Sequence, residues 1–388
     1  MQLGLSFLVL LITPIVIPKT LYNSCKVDSC MKGRRPTRRG VLQNVFGIGL
    51  FSWFISKIKQ LFGVQSDSGR KSPEEMTTEN KPLHADQEQA KEPKEEEEDP
   101  QPTLPENGAI VFVYDDGAME DYTQALPAHK AFDAPATTGI VSEWVGTSGY
   151  MDTEELDELV EAGWEIASHT KEHRPLASFP LTEDTNHSDT IVSAEGYRHG
   201  HHEGETVEIT DGETKVLREI AGLAGEPGER RVKLTEPVDE HFHAGETEIH
   251  YPAAVMHEAV DDSKKALEEM GYDVSTILAP YDVYSGYSNL FVKEQYDGVA
   301  NAEHGSRINH PDEYDPYETQ RDYFIEFTDK KSVKHDLDKI ADDALLGVVG
   351  AHSFKDEVNE ESIQEMLEWV EERDIETMTL REAIETYD

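Results

Sequence analysis

The sequence predicts an α/β body built as a parallel (β/α) barrel that carries a β-rich insertion. Three observations lead there. From Gly108 onward, short apolar runs suited to buried strands alternate with amphipathic helical stretches. Four of those runs end in residues that can do chemistry: Asp115 and Asp116, His169 with His173, Tyr281, and His352. A parallel barrel brings the carboxyl ends of its strands to one mouth, so scattered positions in the chain become neighbours. From about Leu181 to Tyr251 the pattern changes to Gly- and Glu-rich turns between alternating strand-like runs, which marks an insertion.

Composition narrows the partners. The chain has 388 residues and a net charge of −44, which excludes nucleic acid, because phosphate binding needs basic patches. With long, well-punctuated apolar runs, so acidic a composition is expected of a folded protein whose surface stays hydrated in concentrated salt. Only Cys25 and Cys30 occur, so the body has neither a disulfide framework nor a cysteine metal site.

Residues 1–64 read as an export signal or a membrane anchor. Two apolar stretches, Leu3 to Ile17 and Val45 to Ile55, flank the basic patch Arg34-Arg35-Pro36-Thr37-Arg38-Arg39. Paired arginines before a short apolar core resemble a twin-arginine signal, which implies an extracellular or surface-anchored product. The apolar core is short for a membrane span, but Lys57 and Lys59 beyond it and the lack of a clear cleavage site keep an uncleaved anchor open. Met31, just before the basic patch, is the expected true start. Residues 65–105 are charged and proline-punctuated, with Glu95 to Asp99 as the densest run, and read as a self-repelling disordered linker.

The body, residues 106–388, opens on Ala109 to Tyr114, a strand buried on both faces. It stops at Asp115-Asp116-Gly117, where adjacent carboxylates point to opposite sides and need not share a role. A helix follows over Glu120 to Phe132, kinked or divided by Pro127. Pro135 to Val141 is the second strand. Asp152 caps the next helix, Glu155 completes a capping box, and Gly163 ends it. Trp164 to Ser168 is a short strand leading into His169-Thr170-Lys171-Glu172-His173, whose two imidazoles face one way if the segment is a helical turn.

Within the insertion, Glu205 to Thr210, Arg230 to Leu234 and Thr247 to His250 are strand-like. Its many histidines (His187, His199, His201, His202, His241, His243 and His250) suit either a second metal and substrate contact or a solvated hairpin decoration. A helix from Pro252 to Gly271 and a strand from Asp273 to Leu278 follow. Gly298 to Ala302 and the aromatic run Tyr323 to Phe327 read as extended, and Ser332 to Leu345 as a helix. Leu346 to Ala351 is a buried strand closed by His352. Helix Glu360 to Arg373, strand Glu376 to Thr379 and a short helix complete the chain.

Val113-Tyr114-Asp115-Asp116-Gly117 resembles the first motif of the polysaccharide deacetylases, the NodB-homology or carbohydrate esterase family 4 group. His169-Thr170-Lys171-Glu172-His173 is similar to their H-[ST]-x-x-H motif. Ala279-Pro280-Tyr281 resembles the end of their R-x-P-[FYW] motif, and Gly350-Ala351-His352 their last. The resemblance covers roughly Gly108 to Asp388 outside the insertion. It implies a distorted (β/α) barrel whose mouth holds a divalent metal ion, zinc foremost, on Asp116, His169 and His173. It further implies Asp115 as general base, His352 as general acid, and the backbone N–H of Tyr281 as an oxyanion donor. The substrate implied is an acetylated polysaccharide or other glycan.

One departure is clear: Leu278 stands where the family has the arginine that orients the base. Arg307 and Arg174 are the candidates to replace it, and the family's acidic fourth motif is expected within Gly298 to Arg307. Two alternatives remain beside the deacetylase reading. One is a hydrolase of small cyclic amides on the same site. The other is a glycan- or metal-binding surface protein that lost turnover with its arginine.

Overall fold

A computed structural model of the chain describes residues 104–196, 202–225 and 231–388. The expected export segment and nearly all of the linker lie outside these residues. Among the described residues, no helix is long and apolar enough to cross a membrane.

β1 (Ala109–Tyr114) is the centre of the main sheet, and all six of its side chains are fully buried. β2 (Thr137–Ile140) and β3 (Glu165–Ser168) follow as short buried strands. The insertion supplies β4 (Phe179–Pro180), β5 (Ile191–Ser193), β6 (Thr206–Thr210), β7 (Lys215–Ala224), β8 (Arg231–Leu234) and β9 (Glu248–His250). The main sheet resumes with β10 (Thr276–Leu278), β11 (Gly298–Ala300), β12 (Glu303–His304), β13 (Ile308–Asn309) and β14 (Gln320–Tyr323). It closes with β15 (Leu346–Ala351) and β16 (Glu376–Met378).

The spatial order β11-β10-β3-β2-β1-β15-β14-β12 is parallel throughout, with β16 added in parallel to β1 and β13 antiparallel to β15. Burial on both faces and crossover connections curl this sheet nearly into a barrel, the distorted (β/α) form expected. The insertion is a separate antiparallel sheet in the order β4-β9-β6-β7-β8-β5. β7, its longest strand, escapes a sequence reading because Gly222 interrupts the alternation with a bulge between Ile220 and Gly222.

Helices α1 (Leu126–Ala131), α2 (Thr153–Glu161), α3 (Ala253–Met270), α4 (Asn289–Val292), α5 (Lys330–Asp343), α6 (Glu360–Glu371) and α7 (Leu380–Tyr387) connect the strands. The Asp152 box forms as the sequence indicates. The Asp152 carboxylate accepts from the Glu154 N–H at 2.8 Å, and Glu155 accepts from the Asp152 N–H at 2.9 Å. The helix expected over Glu120 to Phe132 divides just before Pro127, as a π turn over Asp121–Ala125 running into α1. Two expectations need correction. The extended run near Tyr323 to Phe327 lies earlier, as β14, and turns away after Tyr323. The His169 to His173 segment is a loop, with Thr170 at φ 63° and His173 at φ 59°, so left-handed residues aim the imidazoles.

Behind β1, Asp121 is fully buried and accepts from Ser353 Oγ at 2.5 Å and Thr138 Oγ1 at 2.8 Å. Burial pushes its carboxyl up to about 7 from 3.8, with the Asp116 and Asp115 charges adding to the rise and the two hydroxyls opposing it. Between these values the folded state holds a proton that the unfolded chain has released, so stability falls as pH rises through the window. Asp121→Asn cannot titrate. In EDTA its melting temperature should fall less than that of the parent protein between pH 5 and 8. Identical pH slopes in scanning calorimetry would show that Asp121 carries no such proton.

Candidate metal centre and active site

Asp116 follows β1 at φ 79°, a left-handed turn that throws its side chain away from that of Asp115. Its Oδ1 lies 3.5 Å from His169 Nε2 and 3.2 Å from His173 Nε2. Among the described residues, these three form the cluster of ligand-type atoms that all fall within 4.8 Å of one another. His169 Nδ1 sits 2.9 Å from the Leu278 carbonyl, so that nitrogen donates and Nε2 keeps its lone pair. Burial pushes His173 down to about 3, which keeps its ring neutral at physiological pH. Burial alone would raise the Asp116 carboxyl, but His169 and His173 outweigh it and hold Asp116 well below the usual carboxylate range.

Asp116 Oδ1 is buried without a hydrogen-bond partner, a costly condition that a cation would relieve. Two imidazoles and one carboxylate suit zinc and other divalent first-row ions. The residues present therefore fit the metal that the sequence motifs imply.

Asp115 faces the other way and is almost completely buried. Its Oδ2 is ion-paired with Arg321, and its Oδ1 accepts from Asn301 Nδ2 at 3.0 Å. Arg321 comes from β14, is fully buried, and bridges Asp115 to Asp282. Tyr323 donates its hydroxyl to the other oxygen of Asp282 at 2.6 Å and lies under the guanidinium, with 4.7 Å from Cζ to the ring centroid. Gly350 makes room for this arrangement: a Cβ there would stand 1.8 Å from Arg321 Nε. Leu278 is buried against Gly139, whose added Cβ would meet Leu278 Cδ1 at 2.5 Å. An apolar side chain thus fills the position expected to hold an arginine, and the cation arrives from a different strand.

Neither cation proposed from sequence reaches Asp115. Arg307 donates to Tyr323 O at 2.7 Å and Asp336 Oδ2 at 2.5 Å. Arg174 is committed to Glu172, to Glu205 at 3.0 Å and to Glu258 at 3.4 Å. Each is nearly buried among its own carboxylates, which fixes it there. The Gly298 to Arg307 region does supply a contact to Asp115, but through the amide of Asn301 at φ 61°; the acid near it is Asp282, next to Tyr281.

His352 leaves the end of β15 with Nε2 3.9 Å from Asp115 Oδ2. Glu326 Oε1 accepts from its backbone N–H at 2.7 Å and lies 2.9 Å from its Nδ1, so Nδ1 carries a proton and Nε2 faces the site. Burial would lower this imidazole, yet Glu326, Asp115 and Asp116 together raise it above the ordinary histidine value. Tyr281 completes the wall: its ring centroid is 4.3 Å from that of His173, and its backbone turns at φ 62°.

The structure therefore brings Asp115, Asp116, His169, His173, Tyr281 and His352 together. Arg321, Asp282, Asn301 and Glu326 belong to the same constellation, and no motif in the sequence singles them out. Of the insertion histidines within the described residues, His202 lies close enough to His173 for its charge to lower that imidazole, and others turn to local groups. His187 Nδ1 lies 2.7 Å from Asp239 O, His250 Nδ1 lies 2.8 Å from Tyr251 O, and His241 contacts Thr185 O. His202 stands 3.6 Å from Glu205, the partner of Arg174. His199 and His201 lie outside the described residues.

Fold and site together define an α/β barrel with a two-histidine, one-carboxylate cluster beside an ion-paired carboxylate. Residues 104–199 match the family model described as polysaccharide deacetylase, which supports that family for the segment holding both acidic and histidine motifs. YxkH of Bacillus subtilis (strain 168), a protein named for the polysaccharide deacetylases, is 26% identical over 103 residues. That alignment covers 26% of this chain and 36% of YxkH, about a third of the relative. Similar solved structures include the peptidoglycan deacetylase PdaC from Bacillus subtilis, 12% identical, covering 72% of this chain and 91% of that one with a TM-score of 0.37. Another is a family 4 carbohydrate esterase from Streptomyces lividans in complex with acetate. It is 11% identical, covers 70% of this chain and 92% of that one, and has a TM-score of 0.36.

Proposed function

We propose that the chain is a metal-dependent hydrolase that removes acetyl groups from a polysaccharide or related glycan, working outside the cell or at its surface. The observation that carries this reading is Asp115, held by Arg321 and Asn301 and 3.9 Å from His352 Nε2, the residue that directly precedes Asp116 of the Asp116–His169–His173 cluster. Asp116, His169 and His173 would hold a divalent ion such as zinc, which would supply the Lewis acidity needed to activate water near neutral pH.

The chain's own residues do the rest. Asp115 takes the proton of the attacking water, with Arg321 and Asn301 fixing which lone pairs face it. The Tyr281 backbone N–H donates to the carbonyl oxygen as charge develops there. His352, protonated at Nε2 and steadied at Nδ1 by Glu326, gives its proton to the departing amine or alcohol. An acid and a base on separate elements can act on opposite ends of the breaking bond. The non-catalytic alternative was grounded in a missing cation, and Arg321 occupies that role. The paired arginines and the acidic composition favour an exported, salt-adapted enzyme over a hydrolase of small cyclic amides.

The test is acetate release from acetylated chitooligosaccharides and acetylated xylan in high salt with added zinc. Asp115→Asn is expected to lower the rate by about 10²–10⁴-fold at unchanged zinc content. No release by the parent protein rejects the deacetylase reading; full activity in the variant rejects Asp115 as the base.

A further inference from the structure

His173 is a candidate ligand that no regular element holds. It sits in a loop at φ 59°, and its side chain is the most exposed of the three, 15% against 12% for Asp116 and 2% for His169. On its C-terminal side the next residue fixes it. The Arg174 N–H donates to Thr170 Oγ1 at 2.8 Å, which closes the loop on itself. The nearly buried guanidinium then reaches out of the loop. Its Nε donates to Glu205 Oε1 at 3.0 Å, and its Nη1 lies 3.4 Å from Glu258 Oε2 on α3.

Glu205 belongs to the insertion, immediately before β6, and its backbone is paired on both sides. The Ile220 N–H donates to Glu205 O at 2.8 Å, and the Gly204 N–H donates to Ile220 O at 2.8 Å, so Glu205 is part of the β6–β7 hairpin. His202 Nδ1 stands 3.6 Å from the same Oε1 that Arg174 uses. Burial would raise the Glu205 carboxyl, but His202, Tyr251 and Arg174 outweigh it and hold it down at about 2, so the partner of Arg174 is an anion at physiological pH. A hairpin that only decorates the surface would leave such a carboxylate in water, where an ion pair contributes little. Here the arginine is buried, and losing its carboxylates would strand a charge.

We propose that Glu205 is a positioning residue for the metal centre: through Arg174, the insertion fixes the backbone at His173 and so the placement of its Nε2 beside Asp116 Oδ1. This rests on the metal-centre reading above. One planar peptide bond joins the arginine to the ligand, so a displaced guanidinium shifts the His173 backbone with little slack. Partners that orient metal ligands from behind are worth about 10–100-fold in metal affinity. The pair also separates position from plain charge. The Glu205 carboxylate attracts a nearby cation and the Arg174 guanidinium repels it, so charge alone would make the two removals shift affinity in opposite directions. Acting by position, both removals weaken binding.

The experiment titrates zinc into the full chain in competition with a chromophoric chelator. It also records the visible bands of the cobalt(II)-loaded protein, which report ligand geometry. Glu205→Gln and Arg174→Met should each weaken zinc binding about 10–100-fold and shift the cobalt bands, and the double variant should bind no more weakly than the worse single one. Arg218→Met is the control within the insertion. It removes donors to Pro237 O and Val238 O, both at 2.6 Å, and should lower the melting temperature while leaving zinc affinity and cobalt bands unchanged. Parent-like zinc affinity in Glu205→Gln overturns the proposal. So does tighter binding in Arg174→Met, which would show charge acting alone. An equal loss in Arg218→Met overturns it too, since any loosening of the insertion would then suffice. If Arg174→Met fails to fold, Glu205→Gln, which keeps the side chain's shape, carries the test with its cobalt spectrum. A parent protein that binds no zinc rejects the metal-centre reading and the positioning role together; one that binds zinc and ignores Glu205→Gln rejects the positioning role alone.

Discussion

Arg321→Met is expected to slow acetate release by about 10–100-fold with zinc content unchanged. The guanidinium lies fully buried between Asp115 and Asp282, and each carboxylate depends on it for a counter-charge. With the cation gone, Asp115 loses the guanidinium that fixes its Oδ2, and the bridge from Asp115 to Asp282 is broken. A misplacement of about 1 Å in a reacting group can cost about 10²-fold in rate. Breaking a buried ion pair also costs about 3–5 kcal/mol of stability. A merely structural role for Arg321 would lower the melting temperature without lowering kcat measured well below that temperature, and that result would reject the assignment. Arg321→Lys should restore part of the rate, because it returns the charge but not the forked geometry that reaches two carboxylates at once.

How much of this was readable beforehand depended on how local each signal is. β1 and β15 are continuous apolar runs, and the residues that close them, Asp115, Asp116 and His352, inherit their positions from the strand ends. Asp116, His169 and His173 lie in two short segments with little intervening freedom. Arg321 was invisible for the opposite reason. Gln320-Arg321-Asp322-Tyr323 reads as a polar surface stretch, and the strand was expected three residues later, over the aromatic run. A charged side chain in a barrel wall contradicts every apolar pattern, and only Asp115 and Asp282 across the sheet make it tolerable. One trace of it did exist. Gly350 interrupts an otherwise solid apolar strand, and a glycine there signals that something approaches closely. Asn301 and Glu326 left no comparable trace, since an amide after a strand and an acid between Ile325 and Phe327 are ordinary patterns.

His169→Ala is expected to have the largest effect, because it acts on the cluster itself and not on the groups around it. His169 is the most deeply buried of the three candidate ligands, and its ring is held by the Leu278 carbonyl. Two ligands, Asp116 and the partly exposed His173, would remain, too few to hold a divalent ion in a tetrahedral site against dialysis. Losses confined to outer-shell partners cost about 10–100-fold in metal affinity, and removing a ligand should exceed that range. The variant should therefore retain no stoichiometric zinc by atomic absorption and release no measurable acetate, whereas Asp115→Asn keeps its metal and loses only turnover. The Leu278 carbonyl loses its donor at the same time, for a further cost of about 1–3 kcal/mol in stability. Melting curves recorded in EDTA separate that term from metal loss, since the chelated parent protein has already given up its ion. Zinc retained at one equivalent in His169→Ala would mean that the ion sits elsewhere, and Asp116 would then lose its place as a ligand along with His169.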